Sequence, residues 1–215
     1  MIRQKGILLV GPTGSGKSPL GDWLQLHGLG GIRCEHFDFG VNLRAIAAAE
    51  PADQGFTPDE VLFIQDVVAK GLLLENETFH LARRILEEFI SRRRLGKGDL
   101  IVMNGLPRHV GQAEALESHL EFVAVVHLQC NAATVWERLQ GNSGGDRAQR
   151  SDDELALVTR KLAIFDERTK LLLAFYQQRG VPLIPIAVGV RTQPADVSPI
   201  LERLWGSVLN EIGRL

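Results

Sequence analysis

The chain has 215 residues, 45% hydrophobic and 23% charged, enough to bury the core of one domain with small insertions. A formal charge of −2 offers neither nucleic acid nor an anionic membrane an electrostatic footprint, so neither is expected as a partner. Cys34 and Cys130 lie far apart and in no metal-ligand spacing, which predicts free thiols in a reducing compartment and excludes a zinc-stapled lid.

The first apolar run, Ile7–Val10, is too short for a secretory signal and gives way at once to a glycine-rich turn. No apolar stretch approaches the length of a membrane span, so the expectation is a soluble, cytoplasmic protein. A helix follows from Gly16 to about His27, and Gly30-Gly31 breaks the chain before a short strand in Ile32–Phe39. A mostly helical block then runs from Val41 to Arg94, interrupted at Pro51, Gly55 and Gly71. Buried-strand runs recur at Leu100–Met103, Phe122–Leu128 and Val181–Ala187, the last carrying two prolines that place it at a sheet edge. Helices are predicted over 112–118, 132–140, 152–178 and 196–211. Asn142–Asp146 reads as a flexible lid, and Trp23, Trp136 and Trp205 read as core or sheet-covering residues. Short strands alternating with helices predict an α/β fold with a five-stranded parallel sheet.

Gly11-Pro12-Thr13-Gly14-Ser15-Gly16-Lys17-Ser18 matches G-x-x-x-x-G-K-[ST], the phosphate-binding loop, and sits between a strand and a helix as that motif requires. Its glycines let backbone N–H groups curl around a polyphosphate at a helix N-terminus. Lys17 then reaches the β- and γ-phosphates and the Ser18 hydroxyl binds magnesium. ATP and Mg²⁺ are the expected cofactors. Arg92-Arg93-Arg94 reads as a solvated helix end favoured by the helix dipole, and Asp152, Asp153 and Glu154 as the acidic first turn of the long helix.

Five further segments, in order, resemble the nucleoside monophosphate kinases, adenylate kinases among them. Asn104-Gly105-Leu106-Pro107-Arg108 through Leu116 is similar to D-G-F-P-R-T-x-x-Q-A-x-x-L. Gly71–Glu77 resembles G-x-L-V-P-D-E, and Asp38–Arg44 resembles S-T-G-D-M-L-R. Arg150-Ser151-Asp152-Asp153 is similar to the R-x-D-D that closes the family's lid, and Lys161 through Tyr176 to the helix after it. The resemblance implies a single kinase domain, with core residues about 1–40, 77–141 and 151–215, an acceptor-binding insertion at about 41–76 and a short lid at about 142–150. It implies that Arg44 and Arg108 clamp the acceptor phosphate, a task suited to the bidentate guanidinium fork. It further implies that Gly105 and Gln112 contact the acceptor, that Arg138 lies near the donor base, and that Arg150 and Lys161 reach the transferring group from the lid side. Partners would be small nucleotides, and the protein a monomer.

This chain departs from the family pattern at several of these positions. Asn104 stands where the family has an aspartate that helps hold magnesium, Val41 replaces an acid, Asn142 falls where the lid opens with arginine, and Lys161 replaces another arginine. Arg147 or Arg160 are candidates to compensate. Asp38 occupies the place of a small hydroxyl residue. A carboxylate there could accept a proton from a hydroxyl acceptor, as in shikimate- and gluconate-type kinases, could serve as a relocated magnesium ligand, directly or through water like Asn104, or could cap the following helix. His36 reads as a buried structural histidine. The leading expectation is ATP-dependent phosphoryl transfer to a nucleoside monophosphate, AMP first. The alternatives are a kinase of small hydroxyl compounds using Asp38, and a catalytically weak nucleotide-binding or regulatory protein.

Overall fold

Strand β1 (Gln4–Val10) is buried on both faces from Gly6 onward, the mark of a central parallel strand covered by helices on each side. A computed structural model describes residues 3–48, 55–145 and 155–212. The chain runs β1, α1 (Lys17–His27), β2 (Cys34–Asp38), α2 (Phe39–Ala48), α3 (Pro58–Lys70), α4 (Phe79–Arg93), β3 (Leu100–Asn104), α5 (Val110–Leu116), β4 (Leu120–Gln129) and α6 (Ala132–Gln140). It continues through α7 (Leu155–Ile164), a π-helical segment (Phe165–Thr169), α8 (Leu171–Gln178), β5 (Leu183–Ala187) and α9 (Pro194–Ile212). The five strands form one parallel sheet in the order β2-β3-β1-β4-β5. This is the α/β phosphate-loop fold expected, with proline-bearing β5 at an edge.

Alternation along β1 divides the core. Ile7 and Leu9 pack with Leu20 and Leu24 of α1 and Val197, Leu201 and Trp205 of α9. Leu8 and Val10 face Phe37, Met103 and the helices α2, α3, α4 and α8. The chain passes from β1 to β2 on one side of the sheet and later from β3 across β1 to β4 on the other, so a crevice opens beyond the carboxyl ends of β1 and β3, where open α/β sheets bind ligands.

Several element ends move from their predicted places for local reasons. Helix α3 begins with a full capping box, Thr57 accepting from Glu60 N while the Glu60 carboxylate accepts from Thr57 N, and ends on left-handed Gly71. Helix α5 starts at Val110 rather than 112, because the His109 ring accepts from Gln112 N and caps it. The single helix predicted over 152–178 is interrupted by the π-helical segment, and residues 152–154 lie outside the described residues, as do Arg147 and Arg150. Trp205 is core and Trp23 half-buried, but Trp136 is 36% exposed on the outer side of α6, correcting its expected role as a covering residue. Arg93 is not simply solvated: its Nε lies 3.5 Å from the buried Glu35 carboxylate, which also pairs with Arg33. Among the described residues no helix is long and apolar enough to cross a membrane.

Candidate active site

The turn after β1 is shaped by close approach. A Cβ on Gly11 would lie 2.6 Å from Ser15 Oγ and 2.8 Å from Leu128 O, and Gly16 enters α1 in the left-handed region at φ 93°. A side chain at Gly11 would strike the loop's own Ser15 and the backbone of β4, so the loop closes this tightly only around glycine. Lys17 folds over it, its ammonium donating to the carbonyls of Gly11 and Pro12 at 2.7 Å each. Arg138, 4% exposed, braces the loop from behind. Its Nε donates to Gly14 O at 2.8 Å, and its Nη1 to the carbonyls of Gly189, Val190 and Thr192 at 2.8–3.1 Å.

Two strand-end groups and the Ser18 hydroxyl of α1 meet beside the loop. Ser18 Oγ donates to Asp38 Oδ2 at 2.6 Å, and Asn104 Nδ2 donates to the same oxygen at 2.8 Å and to Ser18 Oγ at 3.0 Å. Asp38 and Asn104 are register partners at the ends of β2 and β3, so a carboxylate on either strand faces the same point. The second Asp38 oxygen accepts from Val41 N at 3.0 Å and caps α2, so the capping role also holds.

At the start of α2, a Cβ on Gly40 would lie 3.3 Å from both Arg44 Nη1 and Asp38 Oδ1, which places the Arg44 guanidinium close to that carboxylate. Burial pulls the Arg108 guanidinium below its ordinary value while the Asp38 charge opposes the shift. Among the described residues it has no salt-bridge partner, so a cation stands in the cleft wall without a contacting counter-ion. Gln112, 1% exposed, accepts from Arg108 N at 2.7 Å and donates to Leu74 O at 2.7 Å. These bonds use one of its two N–H protons and one of its oxygen lone pairs. A cleft of about 430 Å³ joins all these groups. It is lined by Thr13, Gly14, Lys17, Ser18, Asp38, Arg44, Asn104, Gly105, Arg108, Gln112, Arg138 and Lys161, and its volume suits a small-molecule ligand.

The AAA domain family matches residues 7–158, more than half of the chain. An adenylate kinase of Xanthomonas campestris pv. campestris (strain 8004) is 32% identical over 187 residues, spanning 81% of this chain and 86% of the relative. The adenylate kinase of Xylella fastidiosa (strain M23) is 29% identical over 189 residues, spanning 85% and 91%. The chain belongs to the adenylate kinase-like nucleoside monophosphate kinases.

A kinase of this family transfers phosphoryl from ATP to a nucleoside monophosphate and works with ATP and Mg²⁺. The residues present fit both. The loop at the N-terminus of α1, with Lys17 beside it, suits a phosphate, and the Ser18 hydroxyl and Asp38 carboxylate, both held by the Asn104 N–H, supply the hard oxygen atoms magnesium prefers. Among the described residues no group of three or more His, Cys, Asp or Glu could hold a metal, and Asp38 is the one carboxylate that lines the cleft.

The remaining positions are placed as follows. Lys161 lines the cleft, with its Cε 3.9 Å from where a Gly71 Cβ would stand, and Arg160 donates to Lys70 O at 3.2 Å, so α7 abuts the end of α3. Asn142 adopts φ 44° in the turn after α6. His36 is buried, hydrogen-bonded to Asp22 at 2.8 Å and flush against Gly21, a structural histidine as expected. Sequence reasoning missed His109, Thr169, Arg168 and Glu75. His109 Nε2 donates to Leu74 O at 3.2 Å, Thr169 Oγ1 donates to Arg108 O at 2.8 Å, and Arg168 grips Glu75 with both Nη atoms at 2.6 and 2.8 Å. The one available signal was His109 as a helix N-cap in the place of the family's threonine.

Proposed function

We propose that the enzyme phosphorylates AMP with ATP. What supports the acceptor is the meeting in one cleft of Arg44, Arg108 and the pinned amide of Gln112, together with the similarity to the adenylate kinases of Xanthomonas and Xylella. Arg44 and Arg108 hold the acceptor phosphate, and Gln112 and Gly105 face its base. Phosphoryl transfer asks the protein chiefly for positioning and charge neutralisation. Lys17 and the loop amides align the donor phosphates, while Lys161 and Arg150 neutralise charge from the lid side. Arg138 holds the loop against the β5–α9 connection beside the donor. Ser18 and Asp38, the latter directly or through water, would hold magnesium, which would supply charge neutralisation for the donor phosphates.

The position of Asp38 favours this reading over a hydroxyl acceptor. One of its oxygens is committed to the α2 cap and the other to the Ser18 hydroxyl, so the carboxylate addresses the phosphate loop rather than an incoming alcohol. Its two hydrogen-bonded partners around Oδ2 also fix its direction. The chain acts as a single-domain cytoplasmic monomer with an insertion at about 41–76 and a lid at about 142–150, and binds nucleotides rather than nucleic acid.

Turnover of ATP with Mg²⁺ against AMP, CMP, UMP, GMP and dTMP, with products identified by mass, tests the proposal. ADP formed from AMP in preference to the other diphosphates is the expected result. Transfer to another monophosphate corrects the base specificity, and transfer to none overturns the acceptor reading in favour of a hydroxyl kinase or a binding protein.

A further inference from the structure

The helix that follows the lid segment does not run straight into α8. At Phe165–Thr169 it widens to a π turn, with Lys170 N bonding back to Phe165 O at 2.8 Å, and π turns of this kind cluster at functional sites. Its last two residues diverge to different walls of the acceptor cleft. Thr169, 7% exposed, donates to the carbonyl of Arg108. Arg168 reaches a carboxylate 93 residues away, forking onto Glu75 where the chain leaves the acceptor insertion. Between these anchor points, Gln112 and His109 tie Leu74 O to the segment carrying Arg108. The three segments 72–76, 105–112 and 165–169 are therefore laced together by hydrogen bonds, although they come from distant parts of the chain.

We propose that the π-helical segment positions the acceptor site, Thr169 fixing the backbone that carries Arg108 and Arg168 fixing the exit of the insertion through Glu75. This rests on the monophosphate-acceptor reading above. Neither residue contacts the reacting atoms; both act through others. The ion pair is exposed, 37% at Arg168 and 51% at Glu75, so its contribution to global stability is small. Its fork geometry, by contrast, fixes two segments in one orientation.

The discriminating test is a steady-state comparison in which acceptor KM, ATP KM and kcat are read separately for wild type, Thr169→Val, Thr169→Ser and Arg168→Leu, with Tm measured on each. Losing one neutral hydrogen bond at the site corresponds to about a fivefold change. Thr169→Val is expected to raise acceptor KM about fivefold with ATP KM unchanged, and Thr169→Ser to restore it. Arg168→Leu is expected to raise acceptor KM while leaving Tm within about a degree, which keeps the test valid should Thr169→Val fold poorly. Acceptor KM within twofold of wild type in both Thr169→Val and Arg168→Leu overturns the positioning role, as does an equal rise in ATP KM. Absence of monophosphate use by the wild type itself overturns the underlying reading and this inference with it, and is recognised because it precedes any substitution.

Discussion

At the scale of single residues, the informative event is the exchange of a carboxylate between neighbouring strands. Asn104 ends β3 as a neutral amide, and Asp38 ends β2 as the acid, in register with it and bonded to it at 2.8 Å. The charge near Ser18 is thus kept although its address has changed. Asp38→Asn keeps the shape and removes the charge, and should weaken magnesium binding by about 10- to 100-fold, the usual loss when a group supporting a metal's ligands is removed. Titrating Mg²⁺ against turnover, and against the thermal shift produced by ATP, reads this directly. Adding Asn104→Asp to Asp38→Asn should recover most of the magnesium dependence, because either strand end faces the same point. A double variant as poor as the single one would argue instead for Asp38 as a base that must sit on β2.

At the scale of elements, the strands and most helices were legible because apolar runs bounded by glycine and proline have few other solutions. The phosphate loop was legible for the same reason, its glycines being required by a cradle no Cβ fits. What periodicity missed was non-local or a residue or two out of step: the widened turn at Phe165–Thr169, the Arg168–Glu75 pair, and the start of α5. That start depends on a histidine ring. His109 must be neutral at Nδ1 to accept from Gln112 N, while its Nε2 donates to Leu74 O, an assignment made from these partners. Burial holds its pKa below the ordinary value, helped by Arg168 and opposed by the Leu74 carbonyl and Glu75. A histidine whose folded pKa is depressed is charged first in the unfolded chain, so stability falls as pH drops through about 6.5 and levels below the folded value. His127, also depressed by burial and by Lys170, adds to the same slope. His109→Asn keeps an N-cap without the titration. Its melting temperature should therefore decline less between pH 7 and 5 than that of the wild type, with about 2–4 °C separating the curves for each kcal/mol. Parallel curves would show that the cap does not feel its own protonation.

At the scale of the molecule, the site depends on a tie between the two ends of the chain. Resemblance set Arg138 beside the donor, but nothing in the local sequence of α6 announces that its guanidinium gathers four backbone carbonyls, one from the first loop and three from the β5–α9 connection. Those carbonyls belong to turns, where no ladder or helix partner is at hand, and a cation with donors in a fixed fork can serve several at once. Arg138 therefore links the loop that cradles phosphate to the connection between β5 and α9, whose Trp205 seals the opposite face of the sheet at 2% exposure. Arg138→Met fills much of the same volume but leaves the carbonyls without their donor, at a cost of about 1–3 kcal/mol for each that water does not reach. Urea unfolding should show a lower midpoint with the slope unchanged, the mark of lost stability rather than a different unfolded state. Kinetically, the same variant should raise the KM for ATP and leave the acceptor KM near wild type, the opposite split from Thr169→Val. If both constants rose together, the tie would be holding the whole cleft rather than its donor half.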